Sequence, residues 1–318
     1  MSPLAISEIH TIAQRLRENI NRVIVGKAKV IDLALVALLC EGHLLLEDVP
    51  GIGKTTLAKA LARSLDCSFR RIQFTPDLLP SDVTGLSVYN QKTQEFEYRA
   101  GPIMAQIVLA DEINRATPRT QAALLEAMQE RQITVDGETK MLPRPFLVIA
   151  TQNPIELEGT FPLPEAQVDR FFMRLDLGYP NADEENAMVL RFERAEPLEE
   201  LRAVVSHATI LAMQHTIRTV RVEASVREYI VAIVRATRAH SAVELGASPR
   251  GSLYLYHAAQ ALAALRGRDF VLPDDVKYLT PFILTHRIII SAQTRLRGRD
   301  ATQVVNEVVA SVPVPVEQ

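Results

Sequence analysis

The chain has little cysteine, no long apolar run and no excess of positive charge, and each shortage removes a class of function. Only 2 cysteines, Cys40 and Cys67, occur in 318 residues. They form no CxxC pair and no ligand spacing, which suits core thiols in a reducing compartment. No apolar stretch approaches the roughly 20 residues needed to cross a bilayer, and the longest, from Ile31 to Cys40, carries Asp32 near its start. The first residues, Met1 to Glu8, lack a basic region followed by an apolar core, so the reading is a cytoplasmic protein without a membrane span. A formal charge of -3 argues against nucleic-acid or membrane-surface binding as a main role. The 7 histidines make no HExxH or close pairing, and no GxSxG occurs, so neither a zinc site nor a serine nucleophile is expected.

What is present is ordinary globular composition, 47% apolar and 23% charged, in a chain long enough for two domains. Its centre is the stretch Glu47-Asp48-Val49-Pro50-Gly51-Ile52-Gly53-Lys54-Thr55-Thr56, between the apolar run His43 to Leu46 and a helical pattern from Leu57. A strand, a glycine turn and a helix opening with Gly-Lys-Thr make a phosphate cradle. Backbone N–H groups, the helix N-terminus and Lys54 converge on polyanionic oxygens, and the Thr55 hydroxyl suits magnesium. The usual spacing puts a glycine five positions before Gly53, where this chain has Asp48. A carboxylate pointing inward there would repel a triphosphate, so its side chain is expected to turn away.

Upstream, Ser7 to Asn21 has a helical period, and a second helical stretch runs to Glu41. Between them, Ile24, Val25 and Gly26 either hold a nucleotide base by packing or simply connect two helices. Downstream, Ser68 to Phe74 alternates as a strand. Thr75 to Gly85 is a proline-bounded insertion too short for a full helix, and the runs 86–89 and 95–98 read as an inserted hairpin.

Ile107-Val108-Leu109-Ala110 is a buried parallel strand ending in Asp111 and Glu112. Open α/β sheets bind ligands just outside such strand ends, which positions Asp111 for a magnesium shell and Glu112 to polarise a water. Thr117-Pro118 starts the next helix, and Gln132 to Leu142 is a second hairpin around Asp136-Gly137. Phe146 to Ala150 is another buried strand, followed by Thr151-Gln152-Asn153-Pro154. Asn153 is thereby expected beside Asp111 and Glu112, where a neutral amide can hold water or a terminal phosphate.

Past Tyr179-Pro180 the pattern turns helical, with segments 183–194, 204–216, 225–240 and 250–265, and Ser225 with Glu228 reads as a capping box. Ala247-Ser248-Pro249-Arg250 places an arginine at a helix start, where a cation opposes the dipole and calls for an anionic partner.

In this order the pieces resemble the AAA+ ATPases, and their wording is similar to the MoxR family. The resemblance is carried by Leu46 to Thr55, by Ala110-Asp111-Glu112-Ile113-Asn114-Arg115-Ala116, by Ala150 to Pro154, and by Gly159 to Phe171. It implies a parallel five-stranded αβα core with inserted β-hairpins (1–180, including the N-terminal helix). An all-α lid (181–311) and a flexible tail (312–318) complete the expected division. It also implies ATP or ADP with Mg2+, bound by the loop from Pro50 to Thr56 as Walker A. Asp111 and Glu112 become Walker B, Asn153 sensor 1, and Arg250 sensor 2. Arg170 resembles the arginine finger that reaches a neighbouring subunit's ATP, with Arg115, Arg119 and Arg174 as nearby alternatives. The implied activity is ATP hydrolysis in a homo-oligomer, a hexameric ring, coupled to chaperone-like remodelling of client complexes with von Willebrand factor A domain partners. Two rivals are an ATP-dependent binding switch with little turnover and a DNA-dependent motor. The hairpins carry Glu95, Glu97, Asp136 and Glu138 against Lys92, Arg99 and Lys140, which disfavours the motor and any sequence-specific nucleic-acid partner.

Overall fold

This computed structural model describes residues 4–154, 159–193 and 196–315. The reading of Met1 to Glu8, the core bounds 1–180, the helix end at Arg194 and the last three residues of the tail each touch residues outside them. In chain order come α1 (Ile6–Asn21), α2 (Ala28–Leu39), β1 (Leu44–Glu47), α3 (Lys54–Ser64), β2 (Phe69–Gln73) and α4 (Pro80–Thr84). The hairpin β3 (Gly85–Asn90) and β4 (Glu95–Ala100) leads to β5 (Ile107–Asp111) and α5 (Pro118–Glu130). A second hairpin, β6 (Gln132–Val135) and β7 (Glu138–Met141), precedes β8 (Leu147–Gln152), α6 (Glu165–Val168) and β9 (Met173–Leu175). Then follow α7 (Ala182–Phe192), α8 (Pro197–Glu200), α9 (His207–Thr216), α10 (Ala224–Ala239), β10 (Val243–Leu245) and α11 (Pro249–Leu265). The chain closes with α12 (Pro273–Leu284), β11 (Ile289–Ile290), α13 (Ala292–Leu296) and α14 (Ala301–Ser311).

Five strands form one parallel sheet in the order β2-β5-β8-β1-β9, as expected of an αβα core. The apolar runs of β1, β5 and β8 are buried along their length apart from the last residues of β1 and β8, which is the signature of strands covered on both faces. The pairing Ala110↔Ala150 brings the ends of β5 and β8 side by side, and Leu46↔Thr151 adds the end of β1. Three sequence-distant strand ends therefore share one edge, the place where such sheets bind ligands. Both hairpins form as read, each an antiparallel pair of its own.

By contacts the chain groups into two compact units, 14–170 with 175–211, and 1–13 with 171–174 and 212–318. This grouping differs from the expected division at 180/181, because α7 and α8 cluster with the sheet. The second unit is mostly helical, with the short antiparallel pair β10–β11 as its sheet. Its apolar interior includes Ile230, Ile233, Leu255, Leu262, Leu279 and Val304. The capping box expected at Ser225 is not formed: Glu223 stands at the N-cap of α10 and Ser225 lies inside its first turn. A serine one residue into a helix has no free N–H two or three positions ahead in the capping geometry.

Candidate functional site

The loop after β1 is shaped by Gly51 and Gly53, at φ 84° and 94°, a region that favours residues without a side chain. A Cβ on either would meet no atom within 4 Å, so the space before the loop is open. Gly53 is the N-cap of α3, whose first residues are Lys54 and Thr55. The unpaired N–H groups of that first turn and the helix dipole favour an anion.

Asp48 does turn away. Its Oδ2 accepts from the backbone N–H of Leu177 at 2.7 Å and of Gly178 at 2.8 Å, and its Oδ1 from Val49 N–H at 3.0 Å. The residue that breaks the glycine pattern therefore pins the loop to the chain after β9. Lys54 Nζ donates to the carbonyls of Asp48 at 2.6 Å and Val49 at 3.2 Å. Burial lowers its pKa, and the carboxylates of Asp48, Asp111 and Glu112 act against that shift.

A cavity of about 360 Å³ is lined by Pro50, Gly51, Gly53, Lys54, Thr55, Thr56, Arg71, Asp111, Glu112 and Asn153. Three of the regions singled out in the sheet-bearing unit, the phosphate loop, the Asp111-Glu112 pair and Asn153, thus meet in one place. Thr151 ties two of them: its Oγ1 donates to Asp111 Oδ1 at 2.6 Å and accepts from Glu112 N–H at 2.8 Å. Asp111 is 8% exposed, and Arg71 Nε and Nη2 donate to its Oδ2 at 2.9 and 2.6 Å. A carboxylate offers about four lone-pair positions, so three hydrogen bonds leave one for a further ligand. Glu112 sits at φ 57°, and its Oε2 accepts from Gln73 Nε2 at 2.8 Å and Arg115 Nη1 at 3.1 Å. Asn153 is 6% exposed at the cavity wall.

Sequence reasoning missed Arg71, Gln73 and Thr151. Strand alternation puts Arg71 and Gln73 on one face of β2, and polar residues at that spacing in a sheet strand were the available signal. Their partners depend on β2 lying beside β5, with Gln73 opposite Asp111. Arg115, one alternative for the finger, is engaged with Glu112, and Arg119 is exposed on α5. Arg170 follows α6 and its C-cap Asp169, is half-buried and is not among the cavity's lining residues. Ile24, Val25, Gly26 and Ile52 also do not line it. Gly26 abuts the Glu184 carboxylate, where a Cβ would come within 1.9 Å, and Lys27 Nζ donates to Tyr179 O at 3.1 Å. Arg250 lies in the first turn of α11, in the helical unit.

The donor set suits a magnesium–nucleotide complex: a hydroxyl and carboxylates for a hard cation, and a lysine with open backbone N–H groups for phosphates. Among the described residues no group of three or more His, Cys, Asp or Glu gathers as a metal site of its own. No described helix is long and apolar enough to cross a membrane.

The sequence matches two family models, the ATPase family associated with various cellular activities (AAA) over residues 43–173 and the AAA lid domain over 235–308. It is 53% identical to the uncharacterized protein YeaC of Bacillus subtilis, over 98% of this chain and 97% of that one. It is 42% identical to the chaperone MoxR1 of Mycobacterium tuberculosis, over 97% of this chain and 84% of that one. A crystal structure of a candidate ATPase from Cytophaga hutchinsonii superposes with a TM-score of 0.91 at 38% identity, covering 97% and 96% of the two chains.

Proposed function

The chain belongs to the MoxR family of AAA+ ATPases, and from that premise we propose that it hydrolyses ATP to remodel or assemble client protein complexes. The observation that carries the reading is the convergence of Lys54, Thr55, Asp111, Glu112 and Asn153 on one cavity. ATP is the substrate. Its β- and γ-phosphates are held by Lys54 and the loop N–H groups from Gly51 to Thr56. Thr55 and Asp111 would hold magnesium, which supplies neutralisation of the charge on the phosphate oxygens. Glu112 orients the attacking water and accepts its proton, and Asn153 holds that water or the terminal phosphate by its amide.

The division into a core (1–180), a lid (181–311) and a tail (312–318) remains our assignment of domains. Arg250 acts from that lid as the second sensor of the phosphates. Arg170 is supplied to the ATP of the next subunit, which makes a homo-oligomer, a hexameric ring, the active form. An arginine finger contributes about three to five orders of magnitude in rate, so assembly governs turnover. The name of the mycobacterial relative supports a chaperone role, and von Willebrand factor A domain proteins are the client class we assign. The free thiols Cys40 and Cys67 fit work in the cytoplasm.

The test is phosphate release under saturating Mg-ATP, at protein concentrations where oligomers form. Turnover that depends on assembly is expected. An oligomer that binds ATP and releases no phosphate overturns the remodeller and leaves an ATP-dependent binding switch.

A further inference from the structure

Arg287 is 6% exposed, deep in the helical unit, in the turn Thr285–Arg287 after α12. Its guanidinium donates to the Phe172 carbonyl at 3.3 Å and, through shorter bonds, to the carbonyls of Phe171 and Ile283. It lies over the Tyr254 ring, 4.7 Å from the centroid, and that ring meets Phe172 edge-on at 5.1 Å. Nη1 is also 2.6 Å from His286 Nε2. Burial, with the arginine's own charge, holds that imidazole well below its usual pKa, so a neutral ring can accept the bond.

A buried cation is an expensive way to fill space, since taking it out of water is costly unless its donors find partners. A hydrophobic side chain of similar size would pack this turn as well. What a planar guanidinium adds is a rigid fork of donors that fixes the direction of the groups it binds. Here those groups are the carbonyls of two successive residues, Phe171 and Phe172, whose side chains are themselves 0% and 3% exposed. They are the first two residues after Arg170 in the chain. Those carbonyls fix the 171–172 and 172–173 peptide planes, and with the Phe171 side chain locked in a core the 170–171 plane turns only about the φ of Phe171, which leaves the Arg170 backbone little freedom.

We propose that Arg287 is a positioning residue, whose fork on the Phe171 and Phe172 carbonyls sets the backbone from which Arg170 projects toward a neighbouring subunit's ATP. The inference rests on the reading of Arg170 as the finger. Arg287 touches no substrate in this scheme; it acts through Arg170. Misplacing a catalytic group by about 1 Å can cost on the order of 100-fold in rate, which sets the scale of the effect.

The experiment is subunit mixing, with ATP binding followed by a fluorescent analogue and folding by thermal melting. Arg287→Gln is expected to bind ATP within about twofold of the wild type and to lose roughly 10- to 100-fold in kcat. A Glu112→Gln subunit has a dead site of its own but an intact finger, so mixing it with Arg287→Gln restores turnover in sites that receive the good finger. Arg170→Ala mixed with Glu112→Gln is the control. If the control recovers and the Arg287→Gln mixture does not, the positioning role is overturned while the finger stands. If the control itself does not recover, the trans finger reading fails and takes this inference with it. Should Arg287→Gln not fold, Arg287→Lys keeps a cation over Tyr254 without the fork. In that variant a wild-type kcat overturns the proposal, and a reduced kcat restored by mixing supports it.

Discussion

The two ends of β1 are built for opposite purposes. At its start, His43 is 6% exposed and both ring nitrogens are engaged: Nε2 donates to Met128 O at 3.0 Å, and Nδ1 accepts from Val148 N–H at 3.0 Å. Edge-on packing against Phe146 at 5.5 Å completes a neutral, satisfied joint among β1, α5 and β8. At its finish the chain opens into glycines with positive φ and empty space beside them. Glu47 lies only four positions after His43, so one short strand anchors stability at one end and holds polar groups ready at the other. Groups that must bind a ligand keep hydrogen-bonding capacity the fold does not use, which is why positive φ and open space collect at the carboxyl end.

If that division holds, substitutions at the two ends should separate binding from stability. The largest effect is expected at the open end: Lys54→Ala should lose ATP affinity by at least about 100-fold, measured by fluorescent-nucleotide titration, with the melting temperature of the free protein almost unchanged. A folded Lys54→Ala that still binds ATP tightly would break the comparison. Next, Glu112→Gln should bind ATP normally and lose roughly 100-fold or more in phosphate release, read in a single-turnover assay.

At the closed end, His43→Leu should destabilise by about 2–4 kcal/mol, since it orphans the buried Val148 N–H and Met128 carbonyl. Denaturant unfolding would measure it, and ATP affinity per folded molecule should stay the same. Burial, opposed by the hydrogen bond to Met128, depresses the His43 pKa from its ordinary 6.5 to about 4. The folded state therefore refuses a proton that the unfolded chain accepts. Stability from this group is complete above about pH 6.5 and is lost as pH falls toward 4, by roughly 3 kcal/mol in all. The buried His286 shifts in the same direction and adds to the slope, so His43→Leu should flatten the pH profile only in part.

The smallest effect sharpens the boundary between the ends. Asp48→Asn keeps one oxygen, which can still accept from the Leu177 and Gly178 N–H groups but turns its NH2 toward the Val49 N–H, and should cost about 1–2 kcal/mol in stability. Its ATP affinity should fall only a few-fold, through a looser loop. A large gain in affinity on removing this charge would mean that the carboxylate faces the phosphates after all.

The local patterns were legible because they are local. Apolar runs at 107–110 and 146–150 read as covered strands, and Gly-Lys-Thr after a strand reads as a helix opening at a turn, and both form. The hairpin around Asp136-Gly137 needed nothing beyond its own turn residues. The start of α10 was misread because Ser225 and Glu228 fit a capping box in spacing, while the backbone turns helical at Ala224, directly after Glu223. Sequence spacing does not report φ and ψ at a cap.

What the sequence determined by itself was the phosphate loop, the acids after an apolar strand, the amide after another, and the family they compose. What only the tertiary structure decided was who stands beside them: Leu177 and Gly178 on Asp48, Arg71 on Asp111, and Gln73 and Arg115 on Glu112. Most of these partners are separated by tens of residues or more. Hydrophobic periodicity records which face of a strand is buried, but it carries no record of which strand lies next, and the order β2-β5-β8-β1-β9 is what sets Arg71 and Gln73 beside the two acids.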